Sequence, residues 1–172
     1  MSESFRQKLR ALPDFPVVLP DFDQESAPAD PVVLFRVWLD EAIAAGERQP
    51  HAFSLATADE HGAVSSRMLI LKDIDDDGWQ FATARHSRKG RELAGQPAAA
   101  MNFHWPSLGR QVRVAGSVVE LSAEASAADW AARPASDGSV NEDWQLYALA
   151  PSEIEFWQAR HDRRHIRHHY RL

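Results

Sequence analysis

The chain contains no cysteine, and this absence excludes disulfide bonds, thiolate zinc sites and a cysteine nucleophile. It also lacks any apolar run close to the ~20 residues of a membrane-spanning helix, and its N-terminus lacks the apolar segment of a signal peptide. A net positive charge is missing as well: the formal charge is -6, which argues against broad binding of nucleic acid. We therefore expect a soluble, cytoplasmic protein that binds neither membranes nor nucleic acids.

The size and composition of the chain predict one globular domain. There are 172 residues, of which 44% are hydrophobic and 26% are charged, and these values are ordinary for a domain with a substantial core. Residues 13–31 hold five of the ten prolines, so this stretch is expected to be extended and irregular. We expect an N-terminal arm at residues 1–30 and a single domain at residues 31–172.

Alternating apolar residues separated by turn-forming residues predict a mainly β fold of six or seven antiparallel strands with flanking helices, that is, a small β-barrel. The expected strands are residues 52–58, 63–72, 79–84, 98–104, 111–121, 152–159 and 165–171. The expected helices are residues 2–12, 31–45, 87–95 and 122–132, with an acidic turn at 73–78 and a loop at 134–144. The second helix, capped by Asp30, should bury an apolar stripe made of Leu34, Val37, Trp38 and Ala42.

Basic residues in two of these elements point to an anion site. Arg67 lies in the apolar stretch 65–72, where a charge is costly unless it is paired or meets a ligand. Arg88 and Lys89 follow the expected helix cap Ser87, and a helix N-terminus offers free N–H groups and a favourable dipole to an anion. The two clusters together predict a phosphate cradle, although Ser-Arg-Lys by itself is most often an ordinary start of a surface helix.

Lys72 ends the same stretch that contains Arg67. The two residues have opposite parity, so on a straight strand their side chains point to opposite faces. Either a bulge intervenes or the two cations serve different ligand groups. We favour different groups, with Arg67 for a cofactor and Lys72 for a substrate.

Four further residues have both a functional and a structural interpretation. Gln111 could hydrogen-bond the edge of a heterocycle or a neighbouring strand. Trp157 could form the wall of a planar-ring site or pack in the core. Arg163 and His165 are two apart, so on a strand they would share a face, where they could orient an anionic substrate and assist proton removal. They could equally belong to a solvated basic tail, since residues 160–172 hold five arginines and four histidines.

The C-terminal histidines also raise the possibility of a metal site. His165, His168 and His169 could in principle ligate zinc. No carboxylate lies at a suitable spacing to support them, and arginines crowd the segment. We therefore expect no metal.

Four motifs occur in one order along the chain. They are Ser-Ser-Arg-Met-Leu-Ile-Leu-Lys (65–72), Ser-Arg-Lys-Gly-Arg-Glu-Leu-Ala (87–94), Trp-Pro followed by Arg-Gln-Val-Arg-Val (105–114) and Ile-Glu-Phe-Trp-Gln (154–158). In order and spacing they are similar to the signatures of the pyridoxamine 5′-phosphate oxidase family of FMN proteins, over about residues 30–170. The resemblance implies an FMN-binding split β-barrel that forms a homodimer, with two FMN sites at the subunit interface.

The resemblance also implies a role for each matching residue. Arg67, Arg88 and Lys89 would hold the FMN phosphate, and Arg163 and His165 would be the catalytic residues over the substrate at the flavin face. The other implied FMN contacts are Met68, Leu69, Ile70, Leu71, Ala82, Thr83, Gln111, Trp157 and Arg167. The implied substrate contacts are Lys72 and Arg133, which would meet a substrate phosphate, and Ser136.

The chain departs from the family pattern near the substrate contacts. Asp129 stands where the family usually has a tyrosine, and Asp137 lies close to where a serine normally helps to bind the substrate phosphate. A carboxylate beside a phosphate dianion is repulsive. A long family segment that includes an FMN contact is also missing after Val140. These departures weaken the case for pyridoxamine 5′-phosphate as the substrate more than they weaken the case for FMN as the cofactor.

The function that the resemblance implies is an FMN-dependent oxidase, in which a reduced substrate gives a hydride to the flavin and dioxygen reoxidises the flavin. Pyridoxamine or pyridoxine 5′-phosphate is the implied substrate. A different planar or amine substrate, as in related phenazine-pathway flavin oxidases, stays open. So do a nicotinamide-dependent flavin reductase and a non-catalytic flavin-binding protein. A heterocycle-binding protein without FMN is disfavoured by the retained cofactor residues.

Overall fold

The structure is a computed structural model that describes residues 4–134 and 136–172. In these residues an antiparallel sheet of eight strands has four α-helices beside it. The helices are α1 (Phe5–Arg10), α2 (Pro31–Ala44), α3 (Arg88–Gly95) and α4 (Ala123–Ala131). The strands are β1 (Ala52–Ala58), β2 (Val64–Ile70), β3 (Asp73–Asp75), β4 (Gly78–Ala84), β5 (Ala98–Trp105), β6 (Arg110–Glu120), β7 (Trp144–Gln158) and β8 (Ile166–Arg171). None of the helices within the described ranges is long and apolar enough to cross a membrane.

The predicted mainly β, antiparallel fold is confirmed, and the structure extends it in two places. The three-residue strand β3 lies inside the stretch expected to be an acidic turn, and it pairs with β4. β7 begins at Trp144, whereas the sequence pattern predicted a loop up to residue 144 and a strand only from residue 152. Residues 145–149 are all buried, so this half of β7 does not show the alternation that marks a half-exposed strand.

β7 is the strand around which the sheet divides. It pairs with β6 along one edge, while its first half pairs with β4 and its second half pairs with β8 on the other edge. The register shifts between Ala115 and Gly116 of β6, where the two halves meet. A Cβ atom on Gly116 would lie 2.0 Å from the carbonyl oxygen of Ala150, so only glycine permits this close approach.

Helix α2 covers one face of the sheet and completes the core. Asp30 caps it as predicted, since its carboxylate accepts a hydrogen bond of 2.8 Å from the Val32 N–H group. The predicted apolar stripe was wrong at Val37, which is 47% exposed; Phe35 is fully buried instead. The ring of Phe35 lies 4.5 Å from that of Trp79, in a core cluster in which nine of the twenty buried residues are aromatic.

The N-terminal arm, residues 4–30, lies against α2 and β8. Beyond α1 it has no regular structure, as the prolines predicted, and α1 is shorter than expected, with residues 2 and 3 outside the described part of the chain. Phe22 packs edge-on against Trp38 at 5.1 Å. The Tyr170 hydroxyl donates a hydrogen bond of 2.7 Å to the carbonyl of Pro28. The arm is therefore fixed beside the C-terminal strand.

Candidate functional site

A buried carboxylate, that of Glu92 on α3, lies where two of the predicted phosphate-binding cations meet. Glu92 is 6% exposed. Arg88 donates through Nε to one carboxylate oxygen at 2.7 Å, and Arg67 donates to the other at 3.2 Å. The hydroxyls of Thr57 and Ser65 donate to the same carboxylate at 2.5 and 2.9 Å. A charge that would be costly to bury alone is thus satisfied from several sides.

These contacts set the protonation state of Glu92. Burial alone would raise the pKa of its carboxyl group. Hydrogen bonds from Thr57, Arg88, Ser65 and Arg67 outweigh burial and lower the pKa to about 2. Glu92 is therefore ionised throughout the physiological range, and its negative charge fixes the positions of both arginines.

Lys89 is the third cation of this cluster, and it stands in the first turn of α3. Burial and the charge of Arg67 both lower the pKa of the Lys89 ammonium group. Ser87 caps the helix by accepting from the Gly90 N–H group at 3.2 Å, as the sequence predicted. A Cβ atom at Gly90 would lie 2.2 Å from the Arg85 carbonyl oxygen, so the glycine lets α3 approach the end of β4 closely.

The cluster has the charge and the geometry of a phosphate site. Three cations and one carboxylate leave a net charge of +2, which matches a phosphate monoester of about −2. The free N–H groups at the start of α3 add to the attraction. The residues predicted to hold a phosphate, Arg67, Arg88 and Lys89, are therefore brought together. We call these three residues and Glu92 the cradle.

The remaining predicted cofactor residues of β2 and β4 flank the cradle. Met68 and Ile70 point to the outer face of the sheet and are 65% and 40% exposed. Leu69 and Leu71 pack against the core. Ala82 and Thr83 are buried on β4, where the Thr83 hydroxyl lies 3.4 Å from that of Ser87.

Three residues predicted to contact a flavin ring form a continuous row. Gln111 on β6 is directly opposite Trp157 on β7, and Trp157 is directly opposite Arg167 on β8. Directly opposite residues of neighbouring strands share a face. The row faces away from the core, because its chain neighbours Val112 and Phe156 are fully buried. We call Gln111, Trp157 and Arg167 the ring row.

Within one chain the cradle and the ring row lie on different strands, because β1, β5 and β6 stand between β2 and β7 along the sheet. They also use opposite faces of the sheet. Arg67 continues the core-facing row formed by Leu55, Met101, Val114 and Ile154.

Arg163 and His165 do not share a strand face, because β8 begins only at Ile166. Arg163 has a φ of 62° in the preceding turn and pairs with Asp14 of the arm. The His165 ring lies 4.8 Å from the Trp157 ring, and its Nδ1 accepts from the Arg160 N–H group at 3.1 Å. His165 therefore lies beside Trp157 of the ring row, and Arg163 lies in the preceding turn against the arm.

The arm also reaches this place. The Phe15 ring is 6.1 Å from that of Trp157 and 5.7 Å from that of His165. Phe15 and Asp14 thus contact three of the residues predicted to serve the cofactor and the substrate. Sequence patterns alone did not assign them to the site.

The predicted substrate residues lie at the end of α4. Lys72 is two residues beyond the end of β2, so strand parity does not determine its direction. Its ammonium group lies 3.1 Å from a carboxylate oxygen of Asp129. The Arg133 guanidinium lies over the rings of Trp130 and Trp144, at 4.3 and 4.8 Å. The Ser136 hydroxyl accepts from the N–H group of residue 138 at 3.4 Å within its own loop.

Sequence reasoning gave Glu92 no role, and it noted Asp129 as a departure from the family pattern at the substrate end without predicting its pairing with Lys72. The i, i+4 spacing of Arg88 and Glu92 was a visible signal for the first pair. Nothing local indicated the second, because Lys72 and Asp129 are far apart along the chain. Within the described residues, no group of three or more histidine, aspartate or glutamate side chains is placed to hold a metal ion.

Comparison with known proteins gives consistent matches. A family model described as pyridoxamine 5′-phosphate oxidase matches residues 39–158. A pyridoxine/pyridoxamine 5′-phosphate oxidase of Cupriavidus taiwanensis is 37% identical over 188 residues, which cover 90% of this chain and 89% of that protein. One of Pseudomonas paraeruginosa is 37% identical over 185 residues, which cover 86% of each.

Solved structures match as well. The crystal structure of PhzG from Burkholderia lata 383, in complex with tetrahydrophenazine-1-carboxylic acid, has a TM-score of 0.80 at 30% identity and covers 93% of this chain and 94% of that one. An FMN-binding protein from Nostoc punctiforme has a TM-score of 0.61 at 16% identity, covers 85% of this chain and 100% of that one, and is similar in fold alone. These likenesses confirm the predicted split-barrel fold.

The buried carboxylate predicts a defined acid dependence of stability. The pKa of Glu92 is lowered from 4.5 to about 2, so its stabilising contribution is complete above pH 4.5 and is lost as the pH falls towards 2. Glu92→Gln should lower the free energy of unfolding by about 2 kcal/mol at pH 7, because hydrogen bonds to charged groups are lost. The difference from the wild type should shrink between pH 4.5 and 2 in urea titrations.

Glu60→Gln is the matched control, since the Glu60 side chain is 81% exposed and lies in a turn. This variant should follow the wild-type pH dependence. A Glu92→Gln protein whose acid dependence equals that of the wild type would contradict the assigned contacts.

Proposed function

The chain belongs to the pyridoxamine 5′-phosphate oxidase family, and from that premise we propose that it is an FMN-dependent oxidoreductase that oxidises a small planar substrate. The observation that carries the proposal is the cradle. Arg67 and Arg88 hold one buried, ionised carboxylate, Lys89 stands near them in the first turn of α3, and the net charge of +2 suits the phosphate of FMN. We include in the proposal the cytoplasmic location and the division into an arm (1–30) and a domain (31–172).

FMN fits the remaining predicted residues if two copies of the chain contribute to each site. The cradle of one copy would hold the phosphate, with Met68 to Leu71, Ala82 and Thr83 beside the flavin. The ring row of the other copy would contact the ring, because one chain holds these groups on opposite faces of its sheet. The amide of Gln111 offers both a donor and an acceptor to the edge of a heterocycle, and Trp157 offers a flat apolar surface.

The outer face of the sheet supports a homodimer. Val64, Met68 and Ile70 on β2 are 71%, 65% and 40% exposed. On the same face, the carboxamide oxygen of Asn102 is buried and has no hydrogen-bond partner in the part of the chain that the structure describes. Asn102 is separated from Met68 only by Ser54 in the pairing register. A second copy would cover the apolar side chains and could supply the missing donor.

The catalytic roles proposed for this chain's residues follow from their contacts. Bound FMN would supply the hydride acceptor for oxidation of the substrate, with dioxygen as the oxidant that regenerates it. His165 accepts a hydrogen bond at Nδ1, so the neutral imidazole carries its proton on Nε2 and can donate it to a substrate heteroatom. Arg163 would orient an anionic or electron-rich group once its pairing with Asp14 opens. Phe15 and Trp157 would exclude water from this side.

A phenazine-type oxidase is the second candidate. The observation that favours it is the likeness to PhzG of Burkholderia lata 383, whose structure is in complex with tetrahydrophenazine-1-carboxylic acid. The missing family segment after Val140 also leaves room for a substrate larger than a pyridine ring.

Removal of the cradle cations should abolish FMN binding. In Arg88→Ala/Lys89→Ala, two of the three phosphate partners are lost, so the flavin content of the purified protein should fall at least tenfold. Arg91→Ala is the control, because Arg91 lies on the same helix but contacts the His86 carbonyl and not Glu92. Full flavin occupancy in the double variant, measured by absorbance after denaturation, would refute the phosphate assignment.

A charge on the outer face should separate the subunits. Met68→Asp should convert the dimer into a monomer in light scattering and lower flavin content with it, since burying an unpaired carboxylate is costly. Val33→Asp places the same charge on α2, at a side chain that is 47% exposed, and should leave the dimer intact. A wild-type protein that is monomeric yet binds FMN would contradict the shared site.

Truncation of the proposed catalytic residues should slow the chemistry without releasing the flavin. The compounds to be tested are pyridoxamine and pyridoxine, with and without phosphate, and a reduced phenazine carboxylic acid. With any compound that reduces the flavin of the wild type, His165→Ala and Arg163→Ala should each slow anaerobic flavin reduction about 100-fold. The control Arg164→Ala should reduce its flavin at the wild-type rate. Reduction by a nicotinamide donor alone would indicate a reductase, and a bound flavin that no compound reduces would indicate a binding protein.

A further inference from the structure

We propose that Asp129 makes the substrate pocket reject phosphate, so that the protein acts on a planar substrate that carries no phosphate group. This inference rests on the proposed function, since it concerns the substrate end of the same site. Lys72 and Arg133 are the cations at that end. Their surroundings differ from those of the cradle in contacts, charge and helix polarity.

Asp129 occupies the position that an anionic ligand would need beside Lys72. One carboxylate oxygen lies 3.1 Å from the Lys72 ammonium group. The other accepts a hydrogen bond of 2.8 Å from the indole N–H group of Trp144. The side chains of Lys72 and Asp129 are 22% and 14% exposed, so water screens the pair only in part. The charge of Lys72 is thus already matched inside the protein.

Arg133 is also held by the protein. Its guanidinium lies 4.3 Å from the ring centre of Trp130 and 4.8 Å from that of Trp144. These cation–π contacts fix the guanidinium plane beside two indole rings. The same Trp144 that supports Arg133 donates to Asp129, so the three groups form one connected arrangement.

The net charge and the nearby helix both disfavour a phosphate at this end. Lys72, Arg133 and Asp129 sum to +1, whereas the cradle sums to +2 and a phosphate monoester carries about −2 at pH 7. Asp129 lies in the last turn of α4, Ala123–Ala131, where the helix dipole is negative. The cradle instead lies at the N-terminus of α3, where the dipole attracts an anion.

The two carboxylates therefore act differently. Glu92 is buried and has its oxygens occupied by the hydroxyl donors of Thr57 and Ser65 and by guanidinium donors, and the cradle keeps a net charge of +2 for a ligand. Asp129 contacts Lys72 directly, so a phosphate dianion that bound to Lys72 would lie close to the negative charge of Asp129. The pocket thus favours a substrate that is neutral at this end.

Two probes that differ only in phosphate test the inference: 4-deoxypyridoxine and its 5′-phosphate, neither of which can be oxidised at the deleted hydroxyl. Isothermal titration of the FMN-loaded dimer measures both affinities. In the wild type, the phosphate should give no gain in affinity. In Asp129→Asn, Lys72 loses its partner, and the phosphorylated probe should bind at least tenfold more tightly relative to the other probe.

Asp129→Glu is the matched control, because it keeps the charge and should keep the wild-type preference. A wild type that binds the phosphorylated probe tenfold more tightly would overturn the inference. So would equal ratios in the wild type and Asp129→Asn, including no binding of either probe to either protein. Failure of the proposed function would give a different result, namely a purified protein that takes up no FMN. The same titration on that flavin-free protein still measures the preference between the two probes.

Discussion

The ionised carboxylate of Glu92 is the group on which the cradle depends. It is buried, and it is held by two hydroxyls from β1 and β2 and by the guanidinium groups of Arg67 and Arg88. Because these donors come from three separate elements, the carboxylate joins the edge of the sheet to the start of α3. A phosphate that binds here would meet cations whose positions are already set, so little side-chain entropy would be lost on binding.

The order of the strands explains why one copy of the chain would be insufficient for the proposed site. β1, β5 and β6 stand between β2 and β7 along the sheet. The Arg67 side chain of the cradle faces the core, whereas Gln111, Trp157 and Arg167 face outwards. A homodimer would bring the outward-facing row of one copy to the cradle of the other, and it would also cover Val64, Met68 and Ile70.

Local sequence signals predicted those parts of the fold and the site that depend on local interactions. Asp30 and Ser87 were recognised as caps because a cap bonds to backbone two or three residues away. The first half of β7 was missed because it is buried throughout and has no alternation. Val37 was assigned to the core because helical spacing does not fix which side of a stripe meets the sheet.

Contacts between distant segments were beyond the reach of sequence patterns. Lys72 and Asp129 meet only because α4 packs beside the end of β2, and Asp14 meets Arg163 only because the arm lies along the C-terminal strand. The same limit applied to Arg163 and His165, whose shared face required both to lie on a strand, whereas β8 begins only at Ile166, after both of them. Long-range packing thus decides how the substrate end of the site differs from its cofactor end.

The central claim, that each flavin would lie between the cradle of one copy and the ring row of another, is tested most directly by complementation. Arg88→Ala/Lys89→Ala and Trp157→Ala should each bind little FMN as homodimers. After the two are mixed and allowed to exchange subunits, each mixed dimer has one site with both halves intact. Random exchange should therefore restore about one quarter of the flavin sites, measured by absorbance. No gain of flavin in dimers that have demonstrably exchanged subunits would contradict the claim.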